Sequence, residues 1–181
     1  MTLVEYIARF EQSLRGLVGT LPSSVSVRLF SAGRTAFAKR FALDVPSKTY
    51  VPPADSSVTA WGLRFQLPLW NAAGMFKKGE GYEVVSRQGA GGYVAGTTTS
   101  RVRAGNTRNG VTWPAIPYPH SHAGSNWMGL PNEGHAAVAR RLASLQRVEG
   151  CPIGASVSSE PGLEEAQALP ELLDGLAMYA D

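Results

Sequence analysis

The sequence has little that would cross-link it or carry it through a membrane. It contains a single cysteine, Cys151, so no disulfide can form within the chain, and a reducing compartment is the expected environment. No run approaches the length of about 18 apolar residues that a spanning helix needs, and no signal-peptide pattern is visible. The net charge of +3 is spread along the chain instead of forming one basic tract. We therefore expect a soluble or peripheral protein that does not bind nucleic acid.

Motifs for metals and dinucleotides are also missing. His120 and His122, with the distant His135, would place two ligands in a proline-rich loop without a carboxylate or thiol, so no metal is expected. The stretch "GYEVVSRQGAGGY" has glycines but no GxGxxG after a strand, which leaves a dinucleotide fold without support. We interpret Cys151, just ahead of a predicted strand, as a buried small hydrophobic residue.

The first 45 residues predict a two-helix amphipathic arm. Thr2 and Glu5 form a capping-box pattern ahead of the first helix, and a second helix is predicted over residues 24–42. The apolar faces of these helices either pack on their own domain and each other or lie on a membrane, and the pattern alone leaves both open. The apolar positions are Leu3, Ile7, Phe10, Leu14, Leu17, Val27, Phe30, Phe37 and Phe41.

After an extended linker over residues 46–57, residues 58–181 alternate between strand and helix patterns. Such alternation predicts an α/β unit with a parallel sheet. Pro170 is compatible with the last helix only in its first turn. After a hairpin over residues 58–66, strands are predicted over 69–73, 92–97 and 152–157, and helices over 79–88, 134–149 and from 164 onward, with a long loop after 97.

Small residues and two lysines follow the first predicted strand of this unit. Ala72, Ala73 and Gly74 would let a flat ring rest against the backbone, and Lys77 would bring positive charge to its edge. A flavin ring fits that description. Close helix packing with solvated lysines fits it as well.

Polar groups recur at the later turns. "AGTTTSR", residues 95–101, offers hydroxyls at the end of the second strand. Arg101, Arg103 and Arg108 suit either an anionic ligand or plain solvation. In "SNWMGLPNEG" two asparagines flank an apolar segment and could present amides to a polar ring, although Asn132 could instead cap the following helix.

Taken in order, "NAAGMFKKGE", "GTTTSRVRAGN", "NWMGLPNEG" and "PIGASVSSEPG" resemble the amino-terminal half of dihydroorotate dehydrogenase, over about residues 58–181. The two-helix arm resembles that of the membrane-associated, quinone-using class. The resemblance implies the amino-terminal part of a (β/α)8 TIM barrel with FMN at its carboxyl-terminal rim. It also implies the reaction of pyrimidine biosynthesis in which a hydride leaves C6 of dihydroorotate for flavin N5 while a base takes a proton from C5, giving orotate.

Further partners follow from the same resemblance. The electron acceptor would be a quinone, and residues 1–45 would contact the inner face of the cytoplasmic membrane or the mitochondrial inner membrane. A chain or segment outside these 181 residues would supply the remaining barrel strands. The family's base, a serine in this class, lies on the loop after the fourth strand, and strands seven and eight build its phosphate site. No catalytic residue is therefore assigned here, and the isolated chain is expected to be inactive.

The resemblance also implies roles for individual residues of this sequence. Lys77 matches a residue shared by flavin and substrate, and its charge would favour the reduced flavin and the substrate carboxylate. Phe76 stands where the family usually has an acidic residue, and Ser156 where asparagine is common. These departures support an alternative, a catalytically silent structural subunit of a larger membrane complex. The flavin-contacting positions are Ala73, Gly74, Met75, Phe76, Lys77, Thr97 and Ser156, and the substrate-contacting positions are Lys77, Asn126, Trp127, Met128, Gly129 and Leu130.

Overall fold

The computed structural model describes residues 2–180, which group by their packing into two compact units. Unit 1 comprises Met1–Val45 with Ala104–Gly129, and unit 2 comprises Pro46–Arg103 with Leu130–Asp181. The helices are α1 (Leu3–Val18), α2 (Ser23–Leu43), α3 (Tyr82–Arg87), α4 (His135–Ala143) and α5 (Glu165–Ala177). The strands are β1 (Val58–Ala60), β2 (Leu63–Phe65), β3 (Tyr93–Thr98), β4 (Ala115–Tyr118), β5 (Ala123–Asn126) and β6 (Ile153–Val157). Within the described range, no helix has the length and apolar character needed to cross a membrane.

Helices α1 and α2 of unit 1 form close to the ranges predicted within residues 1–45. At the start of α1, the backbone N–H of Thr2 donates to Glu5 Oε2 at 2.8 Å and the N–H of Glu5 donates to Thr2 Oγ1 at 3.3 Å, which confirms the capping box. Helix α2 buries Val27. Helix α1 buries Val4, whereas five of its apolar residues stay exposed: Leu3, Ile7, Phe10, Leu14 and Leu17.

Residues 104–129, predicted as a long loop, contain an antiparallel hairpin. Strands β4 and β5 pair with Ala115 opposite Asn126. Prolines at 114, 117 and 119 and the small residues of β5 hide the alternating pattern that would reveal these strands. The hairpin groups with the arm, so the structure departs from a division into arm (1–45), linker (46–57) and partial barrel (58–181) at this segment.

A parallel sheet organises unit 2. Strand β3 pairs with β6, Tyr93 lying opposite Ile153, and both strands begin within one residue of their predicted positions. On the other side of β3, bridges from Trp70 to Gly92 and from Phe76 to Ala95 run parallel to it. The hairpin of β1 and β2 is also confirmed.

The strand predicted over residues 69–73 is wrong. Between the two bridges, the side chain of Asn71 takes over the pairing with β3. Its Oδ1 accepts from the N–H of Val94 at 3.0 Å, and its Nδ2 donates to the carbonyl of Val94 at 2.8 Å. The carboxamide therefore replaces the backbone ladder and leaves the chain irregular here.

Three helix predictions need correction, two at a helix end and one at an internal proline. Helix α3 begins later than residue 79 because Gly79 and Gly81 have φ of +98° and +76°. Helix α4 ends at Ala143 instead of 149, and the hydroxyl of Tyr82 holds the following turn by donating to the carbonyl of Cys151 at 2.8 Å. Pro170 lies inside α5, beyond its first turn. Pro170 and Ala166, whose carbonyl loses its helical donor, are both exposed residues, so water can replace the missing hydrogen bond.

Aromatic side chains fill the core of unit 2. Phe76 stacks on Tyr93 with ring centroids 5.6 Å apart, and Tyr82 meets Tyr93 edge-on at 5.4 Å. Cys151 is fully buried, which confirms its interpretation as a small hydrophobic residue. Burial raises the pKa of its thiol to about 11, so the thiol stays protonated and unreactive at neutral pH.

Candidate functional site

The carboxyl ends of the parallel segments meet at one rim of unit 2. The N–H of Gly74 donates to the carbonyl of Gly96 at 2.7 Å, and the N–H of Gly96 donates to the carbonyl of Phe76 at 3.0 Å. Thr97 Oγ1 and Ser156 Oγ lie 2.9 Å apart. The structure therefore brings the predicted positions Gly74, Thr97 and Ser156 to the same edge of the sheet.

Gly96 allows this close approach. A Cβ atom built on it would lie 2.5 Å from the carbonyl oxygen of Ser156, and its φ of +106° is one that other residues rarely adopt. Only glycine lets β3 and β6 converge here without displacing backbone.

The surface formed by residues 72–74 is open. Ala72 and Ala73 are exposed, and a Cβ added to Gly74 would meet nothing within 4 Å. Such a surface of bare backbone accommodates a flat ring, as the sequence predicts. The residues present fit a flavin in this respect.

Phe76 lies in the core and not on that open surface. Its side chain is 3% exposed and stacks on Tyr93. Only its backbone remains at the rim, so Phe76 can contact a cofactor through main-chain atoms alone. The neighbouring Met75 is 54% exposed.

Glu80, which lies outside the predicted site residues, holds the backbone of Lys77 and Lys78. Its carboxylate accepts from the N–H of Lys77 at 3.0 Å and from the N–H of Lys78 at 2.7 Å. Tyr93 donates its hydroxyl proton to the carbonyl of Glu80 at 2.7 Å. The acidic residue three positions after Lys77 in "KKGE" is the sequence feature that could have indicated these two hydrogen bonds.

The side chain of Lys78 forms an ion pair. Lys78 pairs with Glu133 at 2.5 Å, and Arg141 pairs with the other oxygen of Glu133 at 2.6 Å. Hydrogen bonds from Lys78 and Arg141 lower the pKa of Glu133. Lys78 therefore serves a surface ion-pair network beside the rim.

Asn132 is neither a helix cap nor a displayed amide. It is 7% exposed, and its Oδ1 accepts from the N–H groups of Thr99 at 3.2 Å and Gly134 at 2.8 Å. Its Nδ2 donates to Thr99 Oγ1 at 2.9 Å and to the carbonyl of Leu130 at 2.8 Å. Asn132 thus ties the turn after β3 to the segment before α4.

Most of the positions predicted to contact substrate belong to unit 1. Asn126 and Trp127 are exposed, the latter by 48%. Asn106 holds the segment by donating from Nδ2 to the carbonyl of Trp127 at 2.6 Å and from its N–H to the carbonyl of Met128 at 2.8 Å. Among the predicted substrate residues, Asn126 to Gly129 fall in unit 1, whereas Lys77 and Leu130 fall in unit 2.

Arg103 has an internal partner. It pairs with Glu160 at 2.8 Å, and the two side chains are 30% and 15% exposed. Burial raises the pKa of Glu160, but hydrogen bonds from the N–H of Arg101 and from Arg103 and Thr99 outweigh it, so the pKa is lowered overall. Arg103 thus ties the strand-end loop to residues after β6.

A buried polar cluster supports the rim from below. His135 is fully buried, and its Nδ1 shares a hydrogen bond with Thr98 Oγ1 at 2.9 Å. The same hydroxyl shares one with the hydroxyl of Tyr179 at 2.8 Å. Among the described residues, His135 Nε2 has no hydrogen-bond partner. Burial lowers the pKa of His135, while the charges of Glu171 and Glu160 act in the opposite direction.

His135 should make the fold sensitive to acid. Because its folded pKa lies below the ordinary value of 6.5, the unfolded chain binds more protons than the folded one once the pH falls below that value. We expect the free energy of unfolding to hold above pH 6.5 and to fall between pH 6.5 and 5. Urea unfolding at pH 7.5 and 5 measures this.

His135→Leu should flatten that pH dependence, and His120→Leu, at an exposed histidine, should leave it as in the unaltered protein. An equally steep loss in His135→Leu would assign the acid sensitivity to other groups.

Comparison with known proteins identifies dihydroorotate dehydrogenases among the relatives of this chain. The profile of the family described as dihydroorotate dehydrogenase matches residues 56–179. A dihydroorotate dehydrogenase (quinone) of Parvibaculum lavamentivorans is 31% identical over 150 residues, covering 81% of this chain and 42% of the relative. Another, from Acidithiobacillus ferrooxidans, is 40% identical over 109 residues, covering 59% of this chain and 29% of the relative.

A crystal structure of the Eimeria tenella dihydroorotate dehydrogenase in complex with ferulenol has a similar fold. The TM-score is 0.67 at 22% identity, over 82% of this chain and 40% of that one. The chain therefore spans less than half the length of the relatives it matches.

Proposed function

Because this chain belongs to the dihydroorotate dehydrogenase family, we propose that it forms the amino-terminal part of an FMN-dependent, quinone-using dihydroorotate dehydrogenase of pyrimidine biosynthesis. The observation that carries this proposal is the rim of unit 2. There an open backbone surface at residues 72–74 lies at the same sheet edge as the hydroxyls of Thr97 and Ser156. The rest of the (β/α)8 barrel would come from a chain or segment outside residues 1–181.

Bound FMN would supply the hydride acceptor, and this chain's residues would hold and orient it. Ala73, Gly74 and Met75 would lie along the ring. Because the hydroxyls of Thr97 and Ser156 share one hydrogen bond, one of them would donate its remaining proton to the ring and the other would accept from it. Phe76 would contribute only backbone atoms because its side chain is in the core.

Lys77 would act on both cofactor and substrate. Its backbone is fixed by Glu80, which limits the directions in which the side chain can reach. Its positive charge would stabilise negative charge that develops on the flavin and the substrate during reaction. The amide of Asn126, with the segment through Leu130, would hold the pyrimidine.

The direct test uses the native assembly that contains this chain. The proposal requires a yellow protein that releases FMN on denaturation and reduces a quinone when dihydroorotate is added. An assembly that carries the remaining barrel strands yet neither binds FMN nor turns over would exclude it. That result would favour the alternative, a catalytically silent subunit, which Phe76 and Ser156 make chemically reasonable. Mass spectrometry of the native assembly would then identify what replaces the missing strands.

The exposed apolar face of α1 supports a peripheral membrane and quinone role for the arm. Phe10 is 66% and Ile7 47% exposed, and exposed apolar residues on an amphipathic helix are typical of surfaces that meet lipid or an isoprenoid tail. Removing the whole arm would not test this cleanly, because residues 104–129 pack with it.

Point substitutions on α1 avoid that difficulty. We expect Ile7→Asp with Phe10→Asp to slow reoxidation of the flavin by quinone and to leave flavin reduction by dihydroorotate unchanged, since an exposed position needs no repacking. Stopped-flow measurement of the two half-reactions separates these effects. Gln12→Asp, which adds charge at a polar exposed position of the same helix, is the control. Equal loss in both half-reactions would argue that the arm only supports the fold.

A further inference from the structure

A buried serine of the arm is hydrogen bonded to the segment that precedes strand β4. Ser31 on α2 is 3% exposed, and its Oγ accepts from the N–H of Thr112 and from the N–H of Trp113, both at 3.0 Å. A hydroxyl oxygen has two acceptor sites, and both are used here. One side chain of α2 thus anchors two consecutive backbone groups.

Arg34, one turn further along α2, reinforces the same contact. Its guanidinium carbon lies 4.7 Å from the centroid of the Trp113 ring, which places the cation over the aromatic face. Ser31 and Arg34 are three residues apart and lie on one side of the helix. The position of Trp113 is therefore set by α2.

This anchor continues directly to residues 126–129. The carbonyl of Pro114, next to Trp113, accepts from the N–H of Trp127 at 3.0 Å, and Ala115 lies opposite Asn126 in the hairpin. Asn106 holds Trp127 and Met128 from the other side. Gly129 completes this arrangement, since a Cβ added there would lie 2.8 Å from the side chain of Asn106. Ser31 is therefore connected to Asn126 through a short series of hydrogen bonds and neighbouring residues.

We propose that Ser31 is a positioning residue for the segment Asn126–Gly129, so that the arm orients the loop that contacts the pyrimidine as well as serving the quinone. This inference rests on the proposed function for the identity of the ligand, but its geometry is independent of it. Loss of the hydroxyl leaves the N–H groups of Thr112 and Trp113 without their acceptor and frees Pro114 and Trp127 to shift. A displacement of about 1 Å in a substrate-positioning group costs on the order of 10²-fold in rate.

The test compares three variants of the native assembly. Ser31→Ala should weaken orotate binding about tenfold, measured by the change in flavin absorbance, and raise the KM for dihydroorotate similarly, because part of the positioning by Asn106 remains. FMN content and reoxidation by quinone should stay unchanged. Ser31→Thr, which keeps the hydroxyl, should restore most of the affinity. Ser26→Ala removes another buried hydroxyl of α2 that does not accept from Thr112 or Trp113, and it should bind orotate normally.

Amide hydrogen exchange provides a readout that does not need FMN or orotate. The N–H groups of Thr112, Trp113 and Trp127 should exchange faster in Ser31→Ala than in Ser26→Ala. Unchanged exchange in Ser31→Ala would overturn the positioning role. Faster exchange with normal orotate affinity would overturn the link to substrate. If the unaltered assembly binds no FMN, the proposed function is rejected. Faster exchange in Ser31→Ala would still show in that case that Ser31 positions the segment Asn126–Gly129.

Discussion

Substituting Lys77 by methionine in the FMN-containing assembly is expected to slow flavin reduction by dihydroorotate by about 10²- to 10³-fold, the usual cost of removing one preorganised group that stabilises developing charge. Methionine keeps much of the side-chain length and apolar volume and removes the positive charge. The hydrogen bond to Glu80 comes from the backbone N–H of Lys77, so the substitution keeps it. Single-turnover flavin reduction measures the effect without interference from the quinone step.

Lys78→Met is the matched control, since it removes the same charge one residue away. Lys78 is engaged with Glu133 in a pair whose side chains are 45% and 38% exposed, and exposed ion pairs contribute little to stability. We expect flavin reduction in Lys78→Met to stay close to that of the unaltered assembly. Equal losses in the two variants would mean that the rate of flavin reduction depends on the total positive charge near the rim and not on the position of Lys77. An unimpaired Lys77→Met would remove Lys77 from the reaction.

The second large effect concerns residues 1–181 expressed alone. This segment spans 42% of the Parvibaculum relative, and the family resemblance places the proton-abstracting serine beyond it. General-base catalysis contributes about 10²- to 10⁴-fold, so the isolated segment should show no measurable oxidation of dihydroorotate even where FMN binds. Its β6 edge would also lack the neighbour that a parallel barrel provides.

Complementation tests this expectation. The segment is mixed with a separately produced one that carries the later strands, FMN is added, and dihydroorotate oxidation is assayed. Activity in the mixture and in neither part establishes that the two segments form one barrel. Robust turnover by residues 1–181 alone would mean that the proton-abstracting residue lies within them.

Local sequence patterns predicted the elements whose causes are local. The capping box of α1 depends on residues three apart, and the turn at residues 61–62 depends on two positive φ angles, of which Gly62 supplies one at no steric cost. Strands β3 and β6 begin within one residue of prediction because they are short apolar runs ahead of polar turns. The open surface at residues 72–74 was predictable for the same reason, since the small side chains are themselves in the sequence.

The wrong predictions share a dependence on distant partners. Asn71 interrupts the strand at residues 69–73 only because Val94 is beside it in the fold. Asn132 suits a cap or a ligand contact in sequence, and its role is decided by Thr99, 33 residues away. Glu80 is closer to predictable, because the N–H groups that donate to its carboxylate belong to Lys78 and Lys77, two and three residues before it. Its importance emerges only because it holds Lys77 at the rim.

The sequence by itself determined the mixed helix and strand architecture, the order of the motifs and the small-residue surface at the rim. Only the tertiary structure decided which segments pack together. Ser31 and Trp113 are 82 residues apart, and their contact joins residues 104–129 to the arm. A serine, an arginine and a tryptophan at such separation leave no periodic pattern, because burial and hydrogen-bond geometry arise when the chain brings them together.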